Sequence, residues 1–221
     1  MSCEIKKFSN GLLFDAERTM YPTVMQGRSD EEGEFINVSS TYFGFVSQGD
    51  IKIMRKNLPA SDLTKGMYFS VPGEFSFSGR GQFFVIERRG FRGLFTIGGP
   101  LEDSGRLCYI DNCSVTQLIP PVRLGDASLQ QLVFPPNVDQ TMHIHPTIRL
   151  GFVYSGAGFC KSSDGSKLPL ESGSVFYLSE RHVHGFQSGD APMVIIAYHP
   201  DSDVGPTDHS HPMLSRTYLQ K

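Results

Sequence analysis

The chain has 221 residues, 39% of them hydrophobic, with 17 Phe, 23 Gly, 14 Pro and a net charge of -3 in which both signs are dispersed. That length suits one large domain or two of about 110 residues, and the Gly and Pro punctuation favours many short strands and tight turns over long helices. No basic stripe invites nucleic acid or an anionic membrane surface, no run approaches the roughly 18 apolar residues that cross a bilayer, and MSCEIKKFSNGLLF lacks the apolar core and cleavage site of a secretory signal; the expectation is a cytoplasmic protein whose partner is a small molecule.

The N-terminal stretch contributes Cys3, the first of four cysteines. With Cys108, Cys113 and Cys160 it makes neither a C-x-x-C pair nor a dense framework, so thiols are expected, Cys160 as a small buried residue. The acidic DEEGE at 30 to 34 reads as a solvated loop. GFVSQG then begins at Gly44 and GMYFSVPG at Gly66, and both return 107 residues later, as GFVYSG at Gly151 and GSVFYLSE at Gly173. Two landmarks sharing one offset predict two copies of one β unit, residues 8–112 and 113–221, with IPPVRLGD (119–126) as the linker.

The second copy carries the chemistry. TMHIHPTIRLGFVYSGAG, from Thr141, holds His143 and His145, and GSVFYLSERHVHGF holds His182 and His184. Alternate residues of a strand face the same way, so His143 and His145 point together from one predicted strand, and His184 can meet them from another. Imidazole suits Zn, Cu, Fe and Ni, and three protein ligands leave positions open for substrate. At the constant offset, His143 maps to Ile36, His145 to Val38, Arg149 to Tyr42, His182 to Phe75 and His184 to Phe77. Apolar residues at those positions predict a filled, structural first copy and a single metal site in the second.

At these residues the chain resembles the cupin superfamily, small jelly-roll β-barrels with two short ligand motifs. His143, His145 and Gly156 fit the first, G-x5-H-x-H-x3-E-x6-G, although its leading Gly is absent and its Glu is Arg149. Gly173 and His184 fit the second, G-x5-P-x-G-x2-H-x3-N, with Ser179, Arg181 and Ser188 at the Pro, Gly and Asn positions. The first copy keeps G-x5-P at Gly66 and Pro72. The resemblance implies an all-β chain of two tandem cupin-type barrels and, by analogy with edge-strand dimers, a homodimer.

Arg149 at the glutamate position leaves a three-His set, similar to the cupin dioxygenases that act on thiols and β-diketones. That resemblance implies one divalent ion per chain, Fe(II) above Zn, Mn or Ni, and an oxygen-dependent reaction on a small carboxylate held by Arg149. An isomerase, epimerase or lyase acting on a sugar or keto acid is the alternative, with His182 or a tyrosine moving a proton; a ligand-binding protein without catalysis is the third. His182 reads as a cavity or rim residue supporting His184, and Arg149 as either a substrate anchor or half of an ion pair. Gln140 reads as a turn residue, and Tyr154, Tyr177 and Tyr198 as strand residues with hydroxyls at a core edge. His199, His209 and His211 belong to a Pro- and Asp-rich tail expected to be a loop.

Overall fold

A computed structural model describes residues 3–201, so the tail histidines His209 and His211 lie outside the described residues. Apart from one 3-10 turn at Ile110–Asn112, every regular element among these residues is a strand, as the turn-rich composition predicts. The first half supplies β1 (Cys3–Lys7), β2 (Gly11–Ala16), β3 (Thr23–Arg28), β4 (Glu32–Phe35), β5 (Thr41–Met54), β6 (Ser61–Thr64), β7 (Tyr68–Pro72), β8 (Phe75–Arg88) and β9 (Thr96–Gly98). The second supplies β10 (Leu107–Cys108), β11 (Ser114–Ile119), β12 (Ser128–Phe134), β13 (Arg149–Ser155), β14 (Ala157–Ser162), β15 (Lys167–Glu171), β16 (Ser174–Leu178), β17 (His184–Ser188) and β18 (Met193–His199).

Strands β2 to β9 form one antiparallel sheet in the order β2-β3-β8-β5-β7-β9, with β4 on β8 and β6 on β5. The second half is divided into a sheet ordered β1-β16-β13-β18-β12-β11-β10 and a smaller one ordered β15-β14-β17. Leu132, Val153, Leu170, Phe176, Phe186 and Ile195 form one buried cluster drawn from both sheets, which therefore face each other. Two joins depart from the sequence reading. The N-terminal β1 crosses over to pair with β16, and the segment read as a linker ends β11 with Ile119 and then, over 120–127, joins it to its antiparallel neighbour β12.

The repeat is visible in register. Tyr42 pairs with Val71 and Gly44 with Phe69; 107 residues on, Arg149 pairs with Leu178 and Gly151 with Phe176. In each copy the ring lies across the glycine so closely that a Cβ would sit 2.1 Å from the Phe69 or Phe176 ring. Gly151→Ala is accordingly expected to destabilise the fold by roughly 2–3 kcal/mol through forced displacement of Phe176, read as a lower urea midpoint. An unchanged midpoint would mean that the ring has room to retreat.

Period 2 then sorts the strand faces. Leu150 and Phe152 turn toward the first half and join Phe43, Phe45, Phe84, Leu129 and Tyr198 in a continuous core between the halves. Arg149 and Val153 turn the other way, into the second half's interior. The equivalent interior of the first half is packed with Phe35, Tyr42, Phe69, Phe75, Phe77 and Phe83.

Apolar side chains fill this interior, but at two places they are not the residues that the constant offset names. Ile36 and Val38 are 71% and 55% exposed. The pair facing one another across the strands is Phe35 with Phe75, where the second half pairs His143 with His184. The second half has one residue fewer before the first landmark and two more after the second, so the offset is 108 at Phe35 and His143 and 109 at Phe75 and His184.

Candidate metal centre

Residues 135–148 carry no regular strand, so alternation along a strand is not what brings His143 and His145 together. Specific hydrogen bonds do it. His143 and His184 exchange backbone bonds in both directions, at 2.8 and 2.9 Å, and the Arg181 N–H donates to the His145 carbonyl at 2.8 Å. Arg181 adopts a left-handed conformation, φ 56°, at the position where the resembled motif has glycine. From the other side, the Asp111 carboxylate accepts the Thr141 N–H at 2.6 Å and its hydroxyl at 3.1 Å.

The outcome is three imidazoles with ring nitrogens all within 4.8 Å of one another. Their ring centroids are 4.6 Å (His143 to His184), 5.0 Å (His143 to His145) and 5.1 Å (His145 to His184) apart. His143 Nδ1 lies 2.8 Å from the Thr141 carbonyl and His184 Nδ1 2.9 Å from the His182 carbonyl. A carbonyl only accepts, so both Nδ1 atoms carry the proton and both Nε2 atoms present a lone pair. His184 Nε2 is buried and has no hydrogen-bond partner among the described residues. A divalent cation fits this donor set, because it satisfies a buried lone pair whose isolation costs about 1–3 kcal/mol and because carbonyl-anchored histidines are the usual support for a metal.

The three histidines open onto a cavity of about 280 Å³, walled by Phe176, Leu178 and Phe186 and by Gln130, Gln140, Tyr109, Arg149 and His199. No Asp or Glu lines it among the described residues. Arg149 is buried and donates from one guanidinium nitrogen to the Thr147 hydroxyl (2.6 Å) and to the Ile148 (2.9 Å) and Thr147 (3.2 Å) carbonyls. Burial, then Arg149 and the neighbouring histidines, push His145 down to about 2. Burial foremost lowers His184 to about 4, with the His182 carbonyl opposing, and His199 well below its usual range.

Those shifts set an acid response. Unfolded, His145 and His184 take a proton near the usual 6.5; folded and metal-free, His184 does so near 4 and His145 lower still. The folded form therefore has its full stability above about pH 7 and loses it as pH falls from 6.5 toward 4, by up to ~1.4 kcal/mol per pH unit for each group. Urea midpoints of metal-free protein at pH 7 and pH 5 should separate, and His184→Gln should narrow the separation. An equal separation in the variant would place the acid sensitivity elsewhere.

No protein-family model matches the chain, and no curated protein matches it in sequence. Solved structures do match over most of its length. A cupin 2 conserved barrel domain protein from Leptotrichia buccalis is 12% identical over 89% of this chain and 88% of that one, with a TM-score of 0.61. The chain has the cupin fold. A putative glyoxylate-induced protein from Pseudomonas aeruginosa is 12% identical over 93% and 83% of the two chains (TM-score 0.69), and Bacillus subtilis oxalate decarboxylase, described with Mn(II) centres, is 11% identical over 91% and 77% (TM-score 0.57). No helix among the described residues is long and apolar enough to cross a membrane.

Within this cupin fold the other sequence candidates separate. His182 does not line the cavity. Its Nε2 lies 3.1 Å from the Ser162 hydroxyl, its ring stacks on His184 at 5.8 Å, and its backbone carbonyl holds His184 Nδ1. None of Tyr154, Tyr177 and Tyr198 reaches the site; all three pack in or against the core between the halves.

Three residues read otherwise in the sequence, or passed over, do line the cavity: His199, Gln140 and Tyr109. His199 ends β18, with its ring 6.0 Å from that of His145. Gln140 is 1% exposed; its Oε1 accepts the Phe186 N–H at 3.2 Å, and its Nε2 has no partner among the described residues. Tyr109 lies between β10 and the 3-10 turn at Ile110–Asn112. For Gln140 the only local signal was its place three residues before His143.

Proposed function

We propose that this protein is a metal-dependent enzyme, a non-haem Fe(II) dioxygenase acting on a small carboxylate-bearing substrate, with His143, His145 and His184 as ligands. The observation that carries the reading is charge. Three neutral imidazoles leave both charges of a divalent ion uncompensated, Arg149 adds another, and no acidic side chain lines the cavity among the described residues. In a low-dielectric pocket such an excess favours an anionic ligand.

When bound, the ion supplies Lewis acidity and, as iron, the redox chemistry of oxygen activation. The chain's own residues select and hold the substrate. The Arg149 guanidinium matches a carboxylate in a planar, two-point grip, and the buried Gln140 amide offers N–H donors to a further oxygen. Phe176, Leu178 and Phe186 keep water out and limit size, in a cavity near the lower end of small-molecule pockets, roughly 300 Å³. The same proposal reads residues 8–112 and 113–221 as two tandem barrels, the first structural, in a cytoplasmic homodimer that binds neither nucleic acid nor membrane.

A second reading is supported by the Mn(II) centres of the oxalate decarboxylase of similar fold: oxygen-independent isomerase, epimerase or lyase chemistry on a sugar or keto acid. Protein purified anaerobically without a histidine tag separates the two by elemental analysis and oxygen uptake. About one iron per chain with oxygen consumption on a carboxylate substrate supports the dioxygenase. Manganese, zinc or nickel with oxygen-independent turnover supports the second reading, and a metal-free protein would leave a ligand-binding role.

A further inference from the structure

We propose that Cys3 and Cys160 form a thiol pair that a hydroperoxide oxidises to a disulfide, a covalent clasp between the N-terminal strand and the sheet that carries His184. The two are 157 residues apart in sequence, yet their sulfurs lie 3.6 Å from each other in a shared hydrogen bond. Cys3 sits on β1 opposite Leu178 of the larger sheet, and Cys160 on β14 opposite Phe186 of the smaller one. Both side chains reach the core between those sheets, Cys160 within it and Cys3 against its edge. Closing the gap to the roughly 2.05 Å of an S–S bond takes about 1.5 Å of movement shared by two side chains.

The pair is chemically unequal, and the more accessible thiol, Cys3, is the more acidic. Cys160 is buried, and its thiol is pushed up by Cys3 and by burial. Cys3 is half-buried, and the Cys160 thiol beside it lowers its pKa against the opposing effects of burial and Glu4. The Cys3 thiolate attacks the peroxide O–O bond, taking one oxygen as sulfenic acid and releasing the other as water or alcohol. The Cys160 sulfur then attacks the Cys3 sulfur, forming the S–S bond as the S–O bond breaks and the Cys160 thiol proton leaves with the hydroxyl as water. Two thiols are oxidised by two electrons and one peroxide is reduced.

Cys108 and Cys113 serve as internal controls. Cys108 is exposed, whereas Cys113 is buried, with its thiol turned to the Asp111 carbonyl and pushed up to about 11 by burial.

The test uses the full chain treated with equimolar hydrogen peroxide, alkylated, digested with trypsin without reduction, and mapped by mass spectrometry. The expected result is residues 1–6 linked to residues 150–161 in most chains, separated again by dithiothreitol. In Cys160→Ser, Cys3 should instead accumulate as a sulfenic acid trapped by dimedone. Recovery of Cys3 and Cys160 both alkylated after peroxide, a link to Cys108 or Cys113, or Cys3 carried to sulfinic acid without a link would each overturn the proposal. Because wild-type protein gives the primary reading, the outcome does not depend on a variant that folds.

Discussion

Replacing His184 by alanine is expected to lower metal affinity by more than about 100-fold, since loss of an outer support alone costs 10- to 100-fold at a metal site. The fold should survive, because the β17 backbone that exchanges hydrogen bonds with His143 is unchanged and the removed imidazole is neutral near pH 7. The contrast is His182→Ala. His184 Nδ1 is held by the backbone carbonyl of residue 182, so that variant should keep its ion within a few-fold of wild type despite lying two residues away. Elemental analysis with thermal melts checks both. Stoichiometric metal in His184→Ala would remove it from the ligand set, and metal loss in His182→Ala would give that side chain a role its position outside the cavity does not explain.

The second large effect belongs to Arg149. Arg149→Ala should weaken binding of a small carboxylate such as oxalate to the Mn(II)-loaded protein by roughly 100-fold, the scale of a lost charge-assisted, two-point grip. The same variant should bind the ion itself more tightly when no carboxylate is present, because a positive charge that lowers His145 and His184 also repels a cation among them. Opposite shifts in the two affinities distinguish an electrostatic anchor from a merely structural arginine, whose loss would weaken both. Arg149→Lys keeps the charge without the fork and should hold the ion as wild type does while recovering only part of the carboxylate affinity. Calorimetric titration of the ion and then of oxalate reads all three, and unchanged oxalate affinity in Arg149→Ala would take the residue out of substrate binding.

Much of this is legible in the sequence. The spacing of glycines and aromatics marked an all-β chain with an internal repeat, because a glycine under a phenylalanine ring and a glycine at a turn are local requirements that recur with the unit. The H-x-H segment and His184 marked a ligand set by residue type and motif spacing, and the structure brings those three together. Arg149 was legible as a departure at one motif position, and alternation along β13 is enough to turn it inward once Leu150 and Phe152 face the other half.

Tertiary structure decided the rest. A uniform repeat offset could not register the length differences before the first landmark and after the second, so Phe35 and Phe75, not Ile36 and Phe77, stand where His143 and His184 do. His182 and His184 share a parity in sequence and their rings stack, but His182 turns to the Ser162 hydroxyl and only His184 lines the cavity. Gln140, Tyr109 and His199 converge there from three separate segments, and Cys3 meets Cys160 because β1 crosses to the other half's sheet. Composition, periodicity and motif spacing report on neighbours along the chain. Which distant strands pair, and in what register, is decided by burial of a shared core, and that pairing determines which polar groups end up together inside it.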